Sequence, residues 1–150
     1  MKKITLIVFS VLLFGGCRDA NDPRFNLSFE QIITKHSWEV QRFTTPTGKA
    51  ITNNELSNPT AIAIQSMYFI FEDNKIVTAY DKASRTQING GRGAWSVNED
   101  SSEIQFELVG NTLEFRVIRM EDERMIWEAP TGSFLTGVGQ SINLEFAPRL

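Results

Sequence analysis

The sequence predicts a mainly β fold, an antiparallel up-and-down barrel of eight strands with one short helix before the first strand. Three observations predict it. Segments in which apolar and polar residues alternate recur along the chain, and most are separated by short polar turns. Eleven Phe and three Trp supply an aromatic interior for a chain of 150 residues. A closed barrel buries one face of each strand and leaves no open sheet edge.

The first residues have the pattern of a secretory signal peptide. Two lysines after the initial methionine form a short basic region, and residues 4–14 are almost entirely apolar. This run is too short to cross a membrane as a helix, which takes about 20 residues. Gly15 and Gly16 then supply the small residues that a signal peptidase requires. Residues 1–16 are therefore predicted to be a cleaved signal peptide.

Cys17 follows directly and is the chain's only cysteine. The run LFGGC at residues 13–17 resembles the lipobox of bacterial lipoprotein precursors, in which lipid is placed on the cysteine before cleavage. The resemblance implies anchoring to a membrane, expected to be the outer membrane, by acyl chains such as palmitate on Cys17. An ordinary signal peptide is the alternative, and the face of the membrane is left open. Residues 17–26 form the lipidated cysteine and its tether, and residues 27–150 form the barrel domain.

Length and composition indicate what kind of protein the mature chain is. Cleavage leaves 134 residues, which suffice for one domain with a substantial core. The formal net charge is −3, and it falls to −5 when the two lysines of the signal peptide are removed. Basic residues are scattered, so no nucleic acid partner is expected. With the single cysteine acylated, no disulfide is expected.

A short helix is predicted at the start of the domain. Ser28 and Gln31 occupy the outer positions of a capping box, and Leu27 and Ile32 are placed to form a hydrophobic staple. We expect the helix over residues 29–35, where it would close one end of the barrel.

Eight predicted strands follow this helix. In most of them, alternate side chains are apolar and the others are polar, as in a sheet with one buried face and one wet face, while residues 66–71 form a dense aromatic strand. The strands cover residues 37–43, 66–71, 76–80, 93–97, 103–108, 112–120, 124–128 and 141–146. Longer connections are expected at residues 44–59, 81–91 and 130–140, and the first of them contains a second capping box at 52–55.

Several of these features together resemble the lipocalin-like lipoproteins of bacteria. They are the anchor cysteine, the short helix, an early tryptophan at Trp38, a Phe-rich strand that turns at 72–75, and a Gly-Ala-Trp strand at 93–97. The resemblance covers residues 32–146. It implies that the domain folds as a lipocalin-like barrel. It says far less about what the protein does.

Eight aromatic residues on the predicted inner face either line a ligand cavity or fill the core of the barrel. An eight-stranded barrel encloses a space that side chains can fill or that can hold one small ligand. The eight residues are Trp38, Phe69, Phe71, Trp95, Phe106, Phe115, Trp127 and Phe146. Two functions follow: a protein that binds a small hydrophobic ligand, or a structural or protein-interaction module with a solid barrel whose long loops contact a partner.

The sequence shows no catalytic or metal-binding constellation. His36 is the only histidine and has no second histidine or free thiol beside it, so we interpret it as the residue that ends the helix. Glu103, Gln105 and Glu107 share one strand face that is predicted to meet solvent. The acidic run at 121–123 is predicted to be a hairpin tip and lacks the spacing of a calcium loop. We therefore expect no enzyme activity, no cofactor and no metal.

Overall fold

The computed structural model describes residues 27–56, 58–130 and 141–150. The predicted signal peptide, Cys17 with its tether, and residues 131–140 of the predicted last connection lie outside the described residues. No helix in the described ranges is long and apolar enough to cross a membrane. The elements in chain order are α1 (Phe29–Lys35), β1 (Ser37–Thr44), β2 (Ala50–Ile51), α2 (Pro59–Gln65), β3 (Met67–Phe71), β4 (Ile76–Asp81), β5 (Gln87–Val97), β6 (Glu103–Leu108), β7 (Asn111–Glu121), β8 (Arg124–Ala129) and β9 (Ile142–Pro148).

Eight of these strands form a closed antiparallel barrel. β1 pairs with β3, each later strand pairs with the one before it, and β9 returns to pair with residues 38–44 of β1. The two-residue β2 pairs with the end of β1, at Phe43 and Thr44. The predicted up-and-down barrel of eight strands is confirmed. Closure gives the first and last strands the partners that an open sheet would leave missing.

The helix α1 begins where the capping box predicts. Ser28 Oγ accepts a hydrogen bond from the Gln31 backbone N–H at 3.2 Å, and the Gln31 side-chain oxygen accepts one from the Ser28 N–H at 2.8 Å. Ile33 is fully buried against the core. At the other end of the helix, Lys35 Nζ lies 2.5 Å from a carboxylate oxygen of Asp122. α1 is thus fastened to the tip of the β7–β8 hairpin, at one end of the barrel.

The prediction of a single helix is wrong, because α2 is a second one. It begins at Pro59, after Asn58, whose side chain accepts a hydrogen bond from the Thr60 N–H at 2.8 Å. Proline suits the first turn because its φ is already helical and it has no N–H to leave unpaired. Ala61 and Ile64 share the buried face. α2 has only seven residues, and some of them are β-branched. An apolar pattern this short does not distinguish a helix from a strand.

The strand β5 begins six residues before its predicted position, at Gln87, so residues 87–91 of the predicted loop belong to a strand. This part of the strand is not predicted because its glycines interrupt the alternation of apolar and polar residues. Gly90 has a φ of 71°, and the register between β4 and β5 shifts between Thr78 and Tyr80. A bulge of this kind inserts residues that break the alternation of inward and outward side chains.

At Gly93, β5 lies very close to Glu107 of β6. A Cβ placed on Gly93 would be 2.5 Å from the carbonyl oxygen of Glu107 and 2.6 Å from its Cβ. Side-chain atoms do not approach a backbone this closely, so a residue larger than glycine requires the two strands to separate.

We expect Gly93→Ala to lower the free energy of unfolding by about 2–3 kcal/mol, because the added methyl forces the backbone of β6 to move. Gly110→Ala is the control. A Cβ at Gly110 meets open space, but its φ of 75° costs a side chain about 1 kcal/mol. Urea unfolding followed by tryptophan fluorescence measures both variants. Equal losses at the two positions would contradict the close approach of β5 and β6.

Candidate functional site

The eight aromatic residues singled out in the sequence all face the interior of the barrel. None of the eight exposes more than 3% of its surface. Trp38 lies beneath α1, and its Nε1 donates to the carbonyl of Ile33 at 2.9 Å. The other seven form one continuous set of ring contacts with centroids 4.5–6.4 Å apart: Phe69, Phe71, Trp95, Phe106, Phe115, Trp127 and Phe146.

These rings fill the part of the barrel that they line. Phe71 meets Trp95, Phe106 and Trp127 edge to face, with interplanar angles of 81–90°, the arrangement that ring quadrupoles favour. A water-sized cavity beside the rings would leave part of their surface exposed, and almost none is exposed. The structure therefore brings the eight predicted residues together as a packed core.

A cavity of about 540 Å³ lies along β5, β6, β7 and the end of β8. We term it the wall cleft. Its volume falls within the range of roughly 300–1,000 Å³ that is usual for small-molecule sites. Its lining residues are Ser96, Val97, Asn98, Glu103, Ile104, Gln105, Glu114, Phe115, Arg116, Glu128 and Pro130.

The alternation of the strands shows on which side of the barrel wall this cleft lies. Ser96, Gln105 and Glu114 are exposed, and they stand opposite one another across the β5–β6 and β6–β7 pairings. Ile104 and Phe115 are their neighbours in sequence, and their side chains are buried in the barrel. The wall cleft therefore lies on the outer face, not within the aromatic interior.

The strand β7 changes partners beneath the cleft. It pairs with β6 from Asn111 to Arg116 and with β8 from Arg116 to Glu121, so the two ladders overlap at Arg116. β8 ends at Ala129, level with this overlap. Adjacent strands of a closed barrel are staggered, and the cleft lies beside the overlap of these two ladders, with Arg116 and Glu128 in its lining.

Hydrogen bonds fix the polar walls of the cleft. Arg116 Nε donates to Glu128 Oε2 at 2.9 Å, and Ser141 Oγ donates to the other carboxylate oxygen at 2.5 Å. The hydrogen bond from Ser141 lowers the pKa of Glu128 below its ordinary value; burial opposes this shift, and Arg116 adds to it. Across the cleft, Gln105 Nε2 donates to Ser96 Oγ at 3.0 Å. These groups are held in place before any ligand arrives.

The wall cleft is acidic. Glu103, Glu114 and Glu128 line it, and Arg116 is the one cation among the lining residues in the described part of the chain. Arg116 is already paired with Glu128. The remaining carboxylates would repel an anionic ligand, whereas a neutral or cationic ligand meets no such penalty.

His36 lies apart from the wall cleft. Its Nε2 is 3.3 Å from Asp122 Oδ1, and its ring packs edge-on against Trp38 with centroids 5.5 Å apart. The hydrogen bond from Lys35 is the main cause that lowers the pKa of Asp122, and His36 contributes to the same shift. The acidic hairpin tip thus fastens α1. Within the described ranges, no group of three or more His, Cys, Asp or Glu could hold a metal ion.

Sequence reasoning identifies some outward residues of the cleft but not their assembly. Glu103 and Gln105 are recognisable as solvent-facing from the alternation of β6 alone. Arg116 and Glu128 come together only through the β7–β8 register, which shifts just after Val117. Register across a bulge depends on tertiary contacts, so local sequence carries no signal for this pair.

No family model and no curated protein matches the sequence. A DUF4847 family protein from Bacteroides vulgatus has a similar structure, with a TM-score of 0.50 and 14% identity over 80% of this chain and 96% of that chain. A lipocalin-like protein from Bacteroides uniformis has a TM-score of 0.47 at 11% identity, covering 76% and 96% of the two chains. Bovine odorant binding protein, in complex with a selenium-containing odorant, has a TM-score of 0.42 at 15% identity, covering 83% and 77%.

At these identities the similarity concerns the fold alone. The similarity to the protein from Bacteroides vulgatus extends over most of both chains. The closed, eight-stranded, up-and-down topology is that of lipocalin-type barrels. The chain therefore has a lipocalin-like barrel fold.

The lowered pKa of Glu128 predicts a pH-dependent contribution to stability. Because its folded-state pKa lies below the unfolded value of about 4.3, the ionised carboxylate stabilises the fold above that pH, and this contribution is lost as pH falls through the folded-state pKa. We expect Glu128→Gln to be less stable than the wild type at about pH 7, and its stability to fall less between about pH 5 and pH 3.

Urea unfolding at several pH values measures this difference. Glu107→Gln is the matched control, because Glu107 is an exposed carboxylate of β6 outside the cleft. A Glu128→Gln variant that keeps the full pH dependence of the wild type would show that the contacts with Ser141 and Arg116 do not stabilise the fold.

Proposed function

We propose that the chain is a lipid-anchored protein of the bacterial cell envelope that binds a small ligand in the wall cleft and catalyses no reaction. The observation that carries this proposal is the position of the cleft. A recess of about 540 Å³ lies outside a barrel whose aromatic interior exposes almost no surface. A ligand that binds without rearranging the interior must therefore bind at the wall.

The lining of the cleft supports a ligand with both apolar and polar parts. Val97 and Pro130 provide apolar surface, while Gln105 and Arg116 provide donors that are already oriented by their hydrogen bonds. Pre-formed sites bind more tightly because less side-chain freedom is lost on binding. The lipocalin-like barrel and this lining favour a small ligand with a hydrophobic body.

The chemistry of the cleft supports binding rather than catalysis. A general acid or base needs a pKa near the working pH. The pKa of Glu128 is shifted in the opposite direction, so this carboxylate stays ionised at neutral pH. Its hydrogen bonds from Ser141 and Arg116 make it an anchor for the wall of the cleft.

The proposed anchor follows from the LFGGC run that ends at Cys17. Several acyl chains hold a protein firmly, because each buried methylene contributes about 0.8 kcal/mol. Residues 17–26 then join the lipid to α1. Ten residues span at most about 35 Å when fully extended, so the barrel would stay close to the membrane surface, which we propose is that of the outer membrane.

A ligand of the wall cleft should survive purification of the mature protein and appear in native mass spectrometry. We expect Gln105→Trp to abolish this added mass, because the indole would fill the cleft. Glu107→Trp is the matched control, since residue 107 lies on the same outer face of β6 and does not line the cleft. Loss of the ligand in both variants, or in neither, would contradict binding in the cleft.

The packed interior also favours a second candidate, a solid barrel that contacts another protein of the envelope. Ile62 of α2 and Val109 of the β6–β7 turn expose 50% and 52% of their surface and would supply apolar contacts to such a partner. Native mass spectra with no small molecule, together with cross-links from these two positions to one envelope protein, would favour this candidate over the first.

The anchor can be tested independently of the ligand. Cells that express the chain and are fed a labelled fatty acid should incorporate the label into the wild-type protein. Cys17→Ser should lose the label and be released from the membrane fraction, because it lacks the thiol that carries the lipid. Ser10→Ala, within the apolar run, serves as the control and should keep the label. Equal labelling of the wild type and Cys17→Ser would refute the lipid anchor.

A further inference from the structure

The three carboxylates that line the wall cleft differ in their partners within the protein. One carboxylate oxygen of Glu128 accepts a hydrogen bond from Arg116, and the other accepts one from Ser141. Glu103 and Glu114 are exposed, and the side chain of neither forms a hydrogen bond or an ion pair with the part of the chain that the structure describes. The cleft therefore contains one carboxylate with partners and two whose oxygens are available to a ligand.

The register between β6 and β7 places these two available carboxylates beside each other. Glu103 stands directly opposite Arg116, so Glu114, two residues earlier in β7, is its diagonal neighbour on the outer face. Diagonal neighbours of an antiparallel pair are about 7–8 Å apart, a distance that long side chains can bridge. Because like charges repel each other, a cation placed between the two carboxylates would relieve this repulsion.

Gln105 adds a third acceptor to this pair. It stands directly opposite Glu114, and its Nε2 donates to Ser96 Oγ at 3.0 Å. This hydrogen bond holds the amide in place, and within the described ranges the amide oxygen, Oε1, has no partner. A carboxylate only accepts hydrogen bonds. The available oxygens of Glu103, Glu114 and Gln105 therefore match a ligand group that carries several donors.

The net charge of the lining favours a positive ligand. Three carboxylates and one guanidinium line the cleft, which leaves a formal charge of −2. The guanidinium is that of Arg116, and its ion pair with Glu128 already occupies it. A metal ion fits this arrangement poorly, because the described residues include no group of three or more His, Cys, Asp or Glu that could hold one. An organic cation needs fewer ligands of this kind.

We infer that the ligand of the wall cleft is a primary amine with an apolar body, whose ammonium group donates to Glu103, Glu114 and Gln105. This inference rests on the proposed function and names the class of its ligand. A primary ammonium has three donors, no acceptor and one positive charge, so it satisfies all three side chains at once. Val97 and Pro130 line the same cleft and offer apolar surface to the body of the amine.

Two probes of nearly equal size test the charge of the ligand. 2-Phenylethylammonium carries the cation, and 2-phenylethanol carries a neutral hydroxyl group on the same body. The protein is the chain from residue 17 onward with Cys17→Ser, labelled with ¹⁵N and titrated with each probe. We expect the ammonium to perturb the backbone signals of residues 96, 105 and 114. It should bind about two- to tenfold more tightly than the alcohol, the range that two exposed ion pairs provide.

Removing each carboxylate separately assigns the contact. Glu103→Gln and Glu114→Gln keep the shape of the side chain and remove its charge, so each should weaken binding of the ammonium and leave binding of the alcohol unchanged. Glu107→Gln is the matched control, because Glu107 is an exposed carboxylate of β6 outside the cleft. It should keep the wild-type preference. Added NaCl should reduce this preference in the wild type, since salt screens exposed charges.

The outcomes separate the inference from the proposed function. If the alcohol binds the cleft as tightly as the ammonium, the proposed function stands and the inference is overturned. If neither probe perturbs the cleft, the inference fails, whereas a ligand retained in the native mass spectra would still support the proposed function. An equal loss of affinity in Glu107→Gln would show an effect of net charge and would overturn the inference. Displacement of the ammonium by an equal concentration of Ca²⁺ would indicate a metal-ion site and would overturn it as well.

Discussion

The pairing of β1 with β9 converts a meandering sheet into a barrel, and the interior, the position of α1 and the wall cleft all depend on it. Glu145 of β9 reinforces the pairing from outside. It accepts hydrogen bonds from Arg42 of β1 at 3.0 Å and from Arg124 of β8 at 2.8 Å. Burial alone would raise the pKa of Glu145, but the two guanidinium groups outweigh it and the pKa is lowered. A charged carboxylate thus ties three neighbouring strands together.

Closure of the barrel also determines how its interior is packed. Once the strands meet, side chains from all sides point at one another, and aromatic rings fill the space with few gaps. Trp38 and Trp95 connect this interior to α1 and to the β3–β4 turn through their indole nitrogens. The ladders of β7 with β6 and with β8 overlap at Arg116, which lines the wall cleft. The packed interior and the wall cleft thus lie on opposite faces of the same closed sheet.

The sequence predicts those features whose cause is local. The capping box at Ser28 specifies α1, and alternation along six or more residues specifies strands such as β6 and β7. The helix α2 is missed because its periodic stretch spans only seven residues. The start of β5 is missed because Gly90 and the bulge interrupt the alternation.

The candidate site is less predictable than the fold. The eight aromatic residues can be selected because they occupy the alternate, inward-facing positions of the predicted strands. In the structure they do pack together. The wall cleft depends on how far each strand is displaced along its neighbour, and that displacement is set by closure of the whole barrel. Whether a buried indole N–H finds an acceptor is equally invisible in the local sequence, since the acceptor of Trp95 Nε1 is the carbonyl of Glu72, 23 residues earlier in the chain.

Closure has a further consequence, for the order in which the molecule acquires its structure. Arg42 and Glu145 lie 103 residues apart in the chain, yet they meet at the seam. β1 comes near the start of the domain and β9 at its end. The pairing of β1 with β9 therefore forms only after the intervening strands are present. Contacts between such distant segments form slowly, because the entropy of closing the loop is lost before they can stabilise it. Throughout that interval the aromatic face is exposed and prone to aggregate. The protein is therefore most vulnerable before β9 has paired with β1, when a companion that shields an unsealed sheet would raise the yield of folded barrel.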